Sequence, residues 1–284
     1  MQPTIAVIAP GNMGAAVAAR LVENGARVPT LLDGRSEASR QRAAKAGMSA
    51  ATPAEIAAAD IVLSILPPGE AEALARGLAP ALAAALRKPL YIDCNAVSPD
   101  TVRRIAAIIA DAGCPFADAG IIGGPPKPGT AGPRFYVSGP QAEAAERLAA
   151  LGLTVRAIGG AVGDASALKM CYGAFNKGLI ALGAAVALAA ERNGVAAALH
   201  RELTESQAAM LAQLTRGVPD MFPKAYRWVA EFDEIAAFVG DRPERQTFAA
   251  IARFYAALAA ETPQSRQEIG ALGDFFTPVP RDTP

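Results

Sequence analysis

The first turn of the chain reads Ala9-Pro10-Gly11-Asn12-Met13-Gly14. Its two glycines lie between an apolar run and an alanine-rich stretch. That arrangement fits a strand turning tightly into a helix whose first N–H groups can receive a phosphate. Gly11 lets the backbone approach a pyrophosphate, and Gly14 lets the helix lie close to the strand. The pattern matches a dinucleotide fingerprint in which Ala9 replaces the first glycine. Asp33 ends the next strand candidate about 20 residues further on, where an acid is expected to hold a ribose diol. It is followed by Gly34-Arg35-Ser36. Arg35 offers a planar fork of donors and Ser36 a hydroxyl, both suited to an extra 2′-phosphate. The sequence thus favours NADP (NADPH), with NAD as the alternative.

Other residues carry chemistry less specifically. Asn95 and Ser98 follow a strand candidate, at the strand end where ligands of doubly wound folds collect. Asn95 reads either as a contact to substrate or nicotinamide carboxamide, or as a turn cap. Gly123-Gly124-Pro125-Pro126 can present backbone N–H groups to an anion. Lys169, taken alone, reads as a solvated helix lysine. Cys94, Cys114 and Cys171 are scattered, which fits neither a disulfide framework nor a zinc site. His200 is the one histidine, so no metal cluster is expected and histidine-assisted nucleophiles are disfavoured.

These groups need elements to position them. Strand-like runs occupy residues 4–9, 27–32, 60–66, 90–93, 116–119 and 135–138. Helical patterns fill 15–24, 36–46, 71–85 and 99–112. Strands separated by helices of this length imply parallel crossovers. From Asp164 onward only helices are expected: a long one capped by Asp164 or Ser166 and ending near Asn193-Gly194, and a later one opened by Asp241 and Pro243. The later helix carries Phe248, Ile251, Tyr255 and Leu258 on one face and is closed by Thr262-Pro263. Residues 277–284 are proline-rich and read as loose. The expected fold class is α/β, a Rossmann doubly wound parallel sheet over residues 1–160 followed by an all-α domain over 161–284.

Composition narrows the function. Of 284 residues, 52% are hydrophobic and 19% charged, and 27 basic residues balance 27 acidic ones. Nothing here draws in nucleic acid or an acidic membrane surface. The apolar stretch 180–190 is too short to span a bilayer, and no leader pattern opens the chain. A cytoplasmic protein acting on a small molecule is expected. Residues 179–190 are too apolar for an exposed helix, which predicts a homodimer through the C-terminal helical domain.

Several segments occur together in order: Ile8 to Gly14, Ile65-Leu66-Pro67, Asp93-Cys94-Asn95-Ala96-Val97-Ser98-Pro99, Gly123-Gly124, and Gly163-Asp164-Ala165-Ser166-Ala167-Leu168-Lys169. Together they resemble the β-hydroxyacid dehydrogenases, the group containing 3-hydroxyisobutyrate and 6-phosphogluconate dehydrogenases. The helical half is similar to a branch whose C-terminal domain has no known function. The resemblance implies a Rossmann domain, a long interdomain helix and a cleft. It also implies cofactor contacts at Leu66 and Pro67, and Lys169 as the catalytic acid and base. A lysine serves there if burial lowers its pKa.

The chain also departs from the family pattern. Asp93-Cys94-Asn95-Ala96 replaces Asp-x-Ser-Thr, Ile122 replaces the serine before the two glycines, and Gly173 replaces an asparagine. All three changes lie where a substrate carboxylate is expected. Asn176, seven residues after Lys169, returns to nearly the same helix face. It and Tyr172 are candidates for orienting a larger substrate, or ordinary packing residues. Three functions follow: an NAD(P)-dependent dehydrogenase or reductase of a hydroxy or oxo compound, an enzyme similar to imine reductases, or a non-catalytic NADP-binding regulatory protein.

Overall fold

The computed structural model describes residues 2–277. The tail expected to be loose lies, beyond Thr277, outside the described residues. The chain divides into two compact units, Met1–Met170 and Cys171–Pro284. The division falls inside a helix, whereas the sequence places it ahead of that helix.

The first unit alternates strands and helices. In order they are β1 (Ile5–Ile8), α1 (Asn12–Glu23), β2 (Pro29–Thr30), α2 (Glu37–Lys45), β3 (Ser49–Ala50), α3 (Pro53–Ala57), β4 (Ile61–Ser64), α4 (Ala71–Ala84), β5 (Leu90–Asp93), α5 (Pro99–Asp111), β6 (Phe116–Ile122), β7 (Arg134–Ser138), α6 (Ala142–Ala145) and β8 (Thr154–Gly159). The main sheet has six strands in the order β1-β4-β5-β6-β7-β8, and β2 pairs with β3 in a separate ribbon. A parallel bridge between Thr4 and Arg27 joins the ribbon to β1.

Period-two alternation divides the core between the two sheet faces. Ile5, Val7, Ile61, Leu63, Leu90 and Ile92 pack on one face with Val17 and Leu21 of α1. Ala6, Ile8, Val62 and Tyr91 pack on the other with Leu78 and Leu82 of α4 and Val102, Ile105 and Ile109 of α5. This two-sided burial is what a doubly wound sheet requires. Each fully buried Leu contributes about 2 kcal/mol of transfer free energy.

Three expectations about elements are corrected. The sheet is parallel except where β7 runs antiparallel to β6. The strand expected over 27–32 shrinks to two residues. The sequence reading also lacks β3 and β8; β3 is two exposed residues, and β8 is an edge strand broken by a register shift.

Helix α7 (Asp164–Arg192) crosses from the first unit into the second. The second unit continues with α8 (Ala196–Ser206), α9 (Ala208–Met221), α10 (Ala225–Phe238), α11 (Glu244–Ala259) and α12 (Pro263–Phe275). Its centre is aromatic: Trp228 meets Tyr255 edge-on at 5.2 Å, and Phe232 lies 5.7 Å from Tyr255. Two glycines set the approach of α7 and α9. A Cβ on Gly183 would meet Leu214 at 2.7 Å, and one on Gly217 would meet Ile180 at 3.0 Å. Thr262-Pro263, read as a stop, also starts α12, with Thr262 as its N-cap and Pro263 in the first turn. By length and composition α7 is apolar enough to cross a membrane.

Candidate functional site

The turn after β1 builds a pocket of about 350 Å³ in the first unit. Ala9, Pro10, Gly11, Asn12, Met13 and Gly14 line it, with Ile65, Leu66 and Pro67 from the end of β4. No side chain caps α1, whose N-cap residue is Gly11. By contrast Ser36, Thr52 and Ser98 cap α2, α3 and α5. The N–H groups of the α1 start, like those of α4, therefore have no side-chain acceptor, and at α1 the residues that carry them line the pocket. A Cβ on Gly11 would touch nothing within 4 Å, while one on Gly14 would collide with the Ala9 carbonyl. Gly14 therefore allows the close packing of helix on strand, and Gly11 leaves space over the turn. These residues fit a dinucleotide diphosphate.

The acid and the arginine expected at the ribose separate in the structure. Asp33 is exposed in the turn after β2 and does not line this pocket. Arg35 does, with Ser39, Arg42 and Glu70. The positive φ of 71° at Gly34 swings the chain past Asp33 and delivers Arg35 inward. Ser36 does not line the pocket; it is the N-cap of α2, and its hydroxyl donates to Ser39 Oγ at 3.1 Å. Sequence reasoning missed Ser39 and Arg42. They lie one helical turn apart on α2, a spacing that a search for a second cation near Arg35 could have found.

Asn95 is placed at the tips of β4 and β5, but its side chain turns inward. It is 2% exposed. Its amide nitrogen donates to Ser64 Oγ and Asp93 Oδ2, each at 2.8 Å, and its oxygen accepts Leu66 N at 2.8 Å. Both amide protons and one acceptor position of the oxygen are thus engaged in a strand-end clasp within the protein rather than turned toward a ligand. Through Leu66 the clasp holds the β4 edge of the pocket.

Lys169 lies on α7 beside the end of β6. Its Nζ donates to Ile121 O at 2.8 Å. Burial lowers its pKa below the ordinary lysine value, opposed by Cys94. Gly120 makes the approach possible: a Cβ there would meet Ala165 O at 2.7 Å and Lys169 Cβ at 3.1 Å. Two residues beyond Ile121 the chain enters the exposed turn at Gly123 and Gly124. Gly123 has φ 121°, and a Cβ on it would meet Pro133 Cα at 3.1 Å.

What holds the start of α7 was not foreseen. Asp118 of β6 accepts Gly163 N at 3.0 Å, Ser166 N at 2.9 Å and Ser166 Oγ at 2.7 Å. Ser138 of β7 donates to Asp118 at 3.3 Å and accepts Ala165 N at 2.9 Å. The cap expected from Asp164 or Ser166 is therefore supplied in part by a remote carboxylate. Ser166 donates its hydroxyl to Asp118, and Asp164 accepts Ala161 N at 2.9 Å. Burial raises the Asp118 carboxyl above its ordinary value, and its bonds from Ser166, Gly163 and Ser138 offset only part of that rise. Every partner named here donates to it, which suits the charged form at a helix N-terminus.

Asp93 is also fully buried. Burial pushes it up to about 7, with Asp118 adding repulsion, against the bonds from Asn95. A carboxyl raised on folding stabilises the protein fully below its unfolded pKa, and that contribution is lost as pH rises through the folded value. For Asp93 the loss runs from about pH 4 to about pH 7. Urea midpoints at pH 5 and pH 8 should differ less in Asp93→Asn than in the parent. An equal difference in both proteins would show that Asp93 does not titrate in this window.

Tyr172 and Asn176 belong to the second unit. Tyr172 is exposed, and Asn176 Nδ2 donates to Tyr172 O at 2.9 Å along its own helix. Among the described residues no group of three His, Cys, Asp or Glu side chains could hold a metal.

Residues 4–159, more than half of the chain, match the family described as the NAD binding domain of 6-phosphogluconate dehydrogenase. The chain belongs to that family. Residues 190–258 match a domain family of unknown function, DUF1932. The 3-hydroxyisobutyrate dehydrogenase of Pseudomonas aeruginosa is 36% identical over 124 residues, covering 42% of this chain and 41% of that protein. The match thus spans less than half of this curated relative. The solved structures that align over nearly the whole chain include the following two. One is a conserved hypothetical protein from Sinorhizobium meliloti, 28% identical, covering 97% of each chain, with a TM-score of 0.74. The other is the 3-hydroxyisobutyrate dehydrogenase of Mycobacterium tuberculosis with L-serine, 25% identical, covering 96% and 99%, with a TM-score of 0.75. A Streptomyces aurantiacus imine reductase shares the fold, at 20% identity and a TM-score of 0.57. The NAD-binding family thus covers the whole of the doubly wound sheet described above.

Proposed function

We propose that the protein is an NADP-dependent oxidoreductase acting on a small hydroxy or oxo compound, with Lys169 as general acid and base. The observation that carries this reading is the desolvated Lys169 amine, 2.8 Å from Ile121 O at the end of β6, within a unit of the NAD-binding family. Bound NADP supplies the hydride acceptor or donor. The chain's own residues do the rest. The turn from Ala9 to Gly14 receives the diphosphate, and Arg35 meets the 2′-phosphate. Lys169 takes a proton from the substrate hydroxyl in oxidation and returns it to the oxygen in reduction. Its lowered pKa brings both protonation states closer to neutral pH. Gly123 and Gly124 offer backbone N–H groups to an anionic substrate group.

L-serine, found with the Mycobacterium tuberculosis relative, carries a hydroxyl beside a carboxylate-bearing carbon. A small hydroxy acid is accordingly the first substrate class to try. The changes at Asn95, Ile122 and Gly173, with the shared imine reductase fold, support C=N reduction as the second reading. A panel of hydroxy acids, carbonyl compounds and imines, followed by nicotinamide absorbance, tests both. Dinucleotide binding with no turnover across the panel would favour the regulatory alternative. Loss of binding itself would overturn the reading.

The same reading includes a cytoplasmic homodimer. On α7, Tyr172, Phe175, Leu182 and Val186 are exposed, with Phe175 at 67% and Leu182 at 63%. With half-buried Leu179 they follow alternating spacings of three and four, the seam of a helix that packs on another helix. Leu182→Glu should convert a sedimenting dimer into a monomer. A parent protein that sediments as a monomer would remove the dimer from the reading.

A further inference from the structure

Resting on the NADP reading above, a further inference concerns how this chain distinguishes a 2′-phosphate from a free ribose. We propose that Arg42 and Ser39 complete a phosphate cradle with Arg35, and that Glu70 competes with the phosphate for Arg35. All four residues line the pocket that contains Gly11 and Gly14. Arg42 is tied to the fingerprint turn itself: its Nε donates to Pro10 O at 3.0 Å, and its Nη2 donates to Ser39 Oγ at 2.9 Å. These bonds hold the guanidinium beside the turn while leaving donors of its five-proton fork available. Ser39 Oγ, already gathered by Arg42, adds a hydroxyl to the same side.

Arg35 approaches from the loop before α2, and its Nη1 meets Glu70 Oε2 at 3.5 Å. Glu70 sits on the short 3-10 turn Pro68–Glu70, which follows Pro67 at the pocket edge. The lining therefore carries two guanidinium groups and one carboxylate, a net single positive charge. A 2′-phosphate brings about −2 and would exchange with Glu70 for Arg35, leaving Glu70 to repel it. NAD has no such group, so its affinity depends little on Glu70 or on the charge of Arg42. The pair then sets the preference between the two cofactors without touching the nicotinamide end.

Calorimetric titration of the full chain with NADP+ and with NAD+ tests this. Glu70→Gln should tighten NADP+ about fivefold and leave NAD+ within about twofold. Arg42→Gln should weaken NADP+ about thirtyfold more than it weakens NAD+, since any loss of the bond to Pro10 O is common to both nucleotides. The ratio of the two affinities is the readout, so NAD+ binding controls for folding of each variant. Glu70 is half exposed, which makes its variant independent of any damage done at Arg42. An unchanged ratio in both variants would overturn the proposal, as would a parent that binds NAD+ alone. A loss of NAD+ affinity in Glu70→Gln would also overturn it, by making Glu70 the ribose-binding acid. If the parent binds neither nucleotide, the cofactor reading fails and this proposal fails with it.

Discussion

Lys169→Ala should lower turnover about a thousandfold while dinucleotide affinity stays within about twofold. On the proposed role of Lys169, proton transfer at the substrate oxygen is the step affected, and no other lysine is positioned by the same contacts. The Nζ bond to Ile121 O fixes the amine at the strand end, and burial there lowers its pKa. Lys169→Arg keeps the positive charge but cannot give up its proton, so it should be as inactive as the alanine variant. In the oxidation direction the parent's activity should rise with pH through the lowered Lys169 pKa, because the neutral amine is the base. Steady-state rates across pH check both points. Activity near the parent level in Lys169→Ala would remove this residue from the chemistry.

Asp118→Ala should destabilise the fold by about 4 kcal/mol, among the largest single-residue effects expected here. It leaves the N–H groups of Gly163 and Ser166 and two hydroxyls without their acceptor inside the protein. Asp118→Asn keeps the shape, loses the charge at the helix start and should cost less. Urea unfolding at pH 8 measures both. A change below about 1 kcal/mol for Asp118→Ala would mean that the start of α7 is held by other contacts. Because α7 carries Lys169 little more than a turn beyond these bonds, turnover in Asp118→Asn should also fall while NAD+ binding persists.

The parts that could be read from the sequence share a local cause. The turn from Ala9 to Gly14, the helix after it and the alternating core residues of β1, β4 and β5 are set by neighbours a few positions apart. Family membership was likewise visible in short ordered segments. The parts that escaped depend on distant partners. Asp118 caps a helix that begins 46 residues later in the chain, counting from Asp118 to Asp164, and nothing near Asp118 announces it. Asn95 could be read as a ligand contact because its partner Ser64 lies on a different strand. The reversal of β7 and the edge strand β8 depend on sheet pairing rather than on composition. Arg35 was found because it sits beside the expected acid. Arg42 was not, because only the winding of α2 brings it to the turn.

Helix α1 differs from α2, α3 and α5 in starting without a side-chain cap. On the proposed cofactor reading, its leading amides would take their acceptors from the bound diphosphate rather than from a neighbouring hydroxyl. Occupancy of the turn then adds to the cohesion of the whole doubly wound lobe by mass action. On the proposed cofactor reading, the same chain should be sturdier with dinucleotide in excess than after it has been stripped and dialysed.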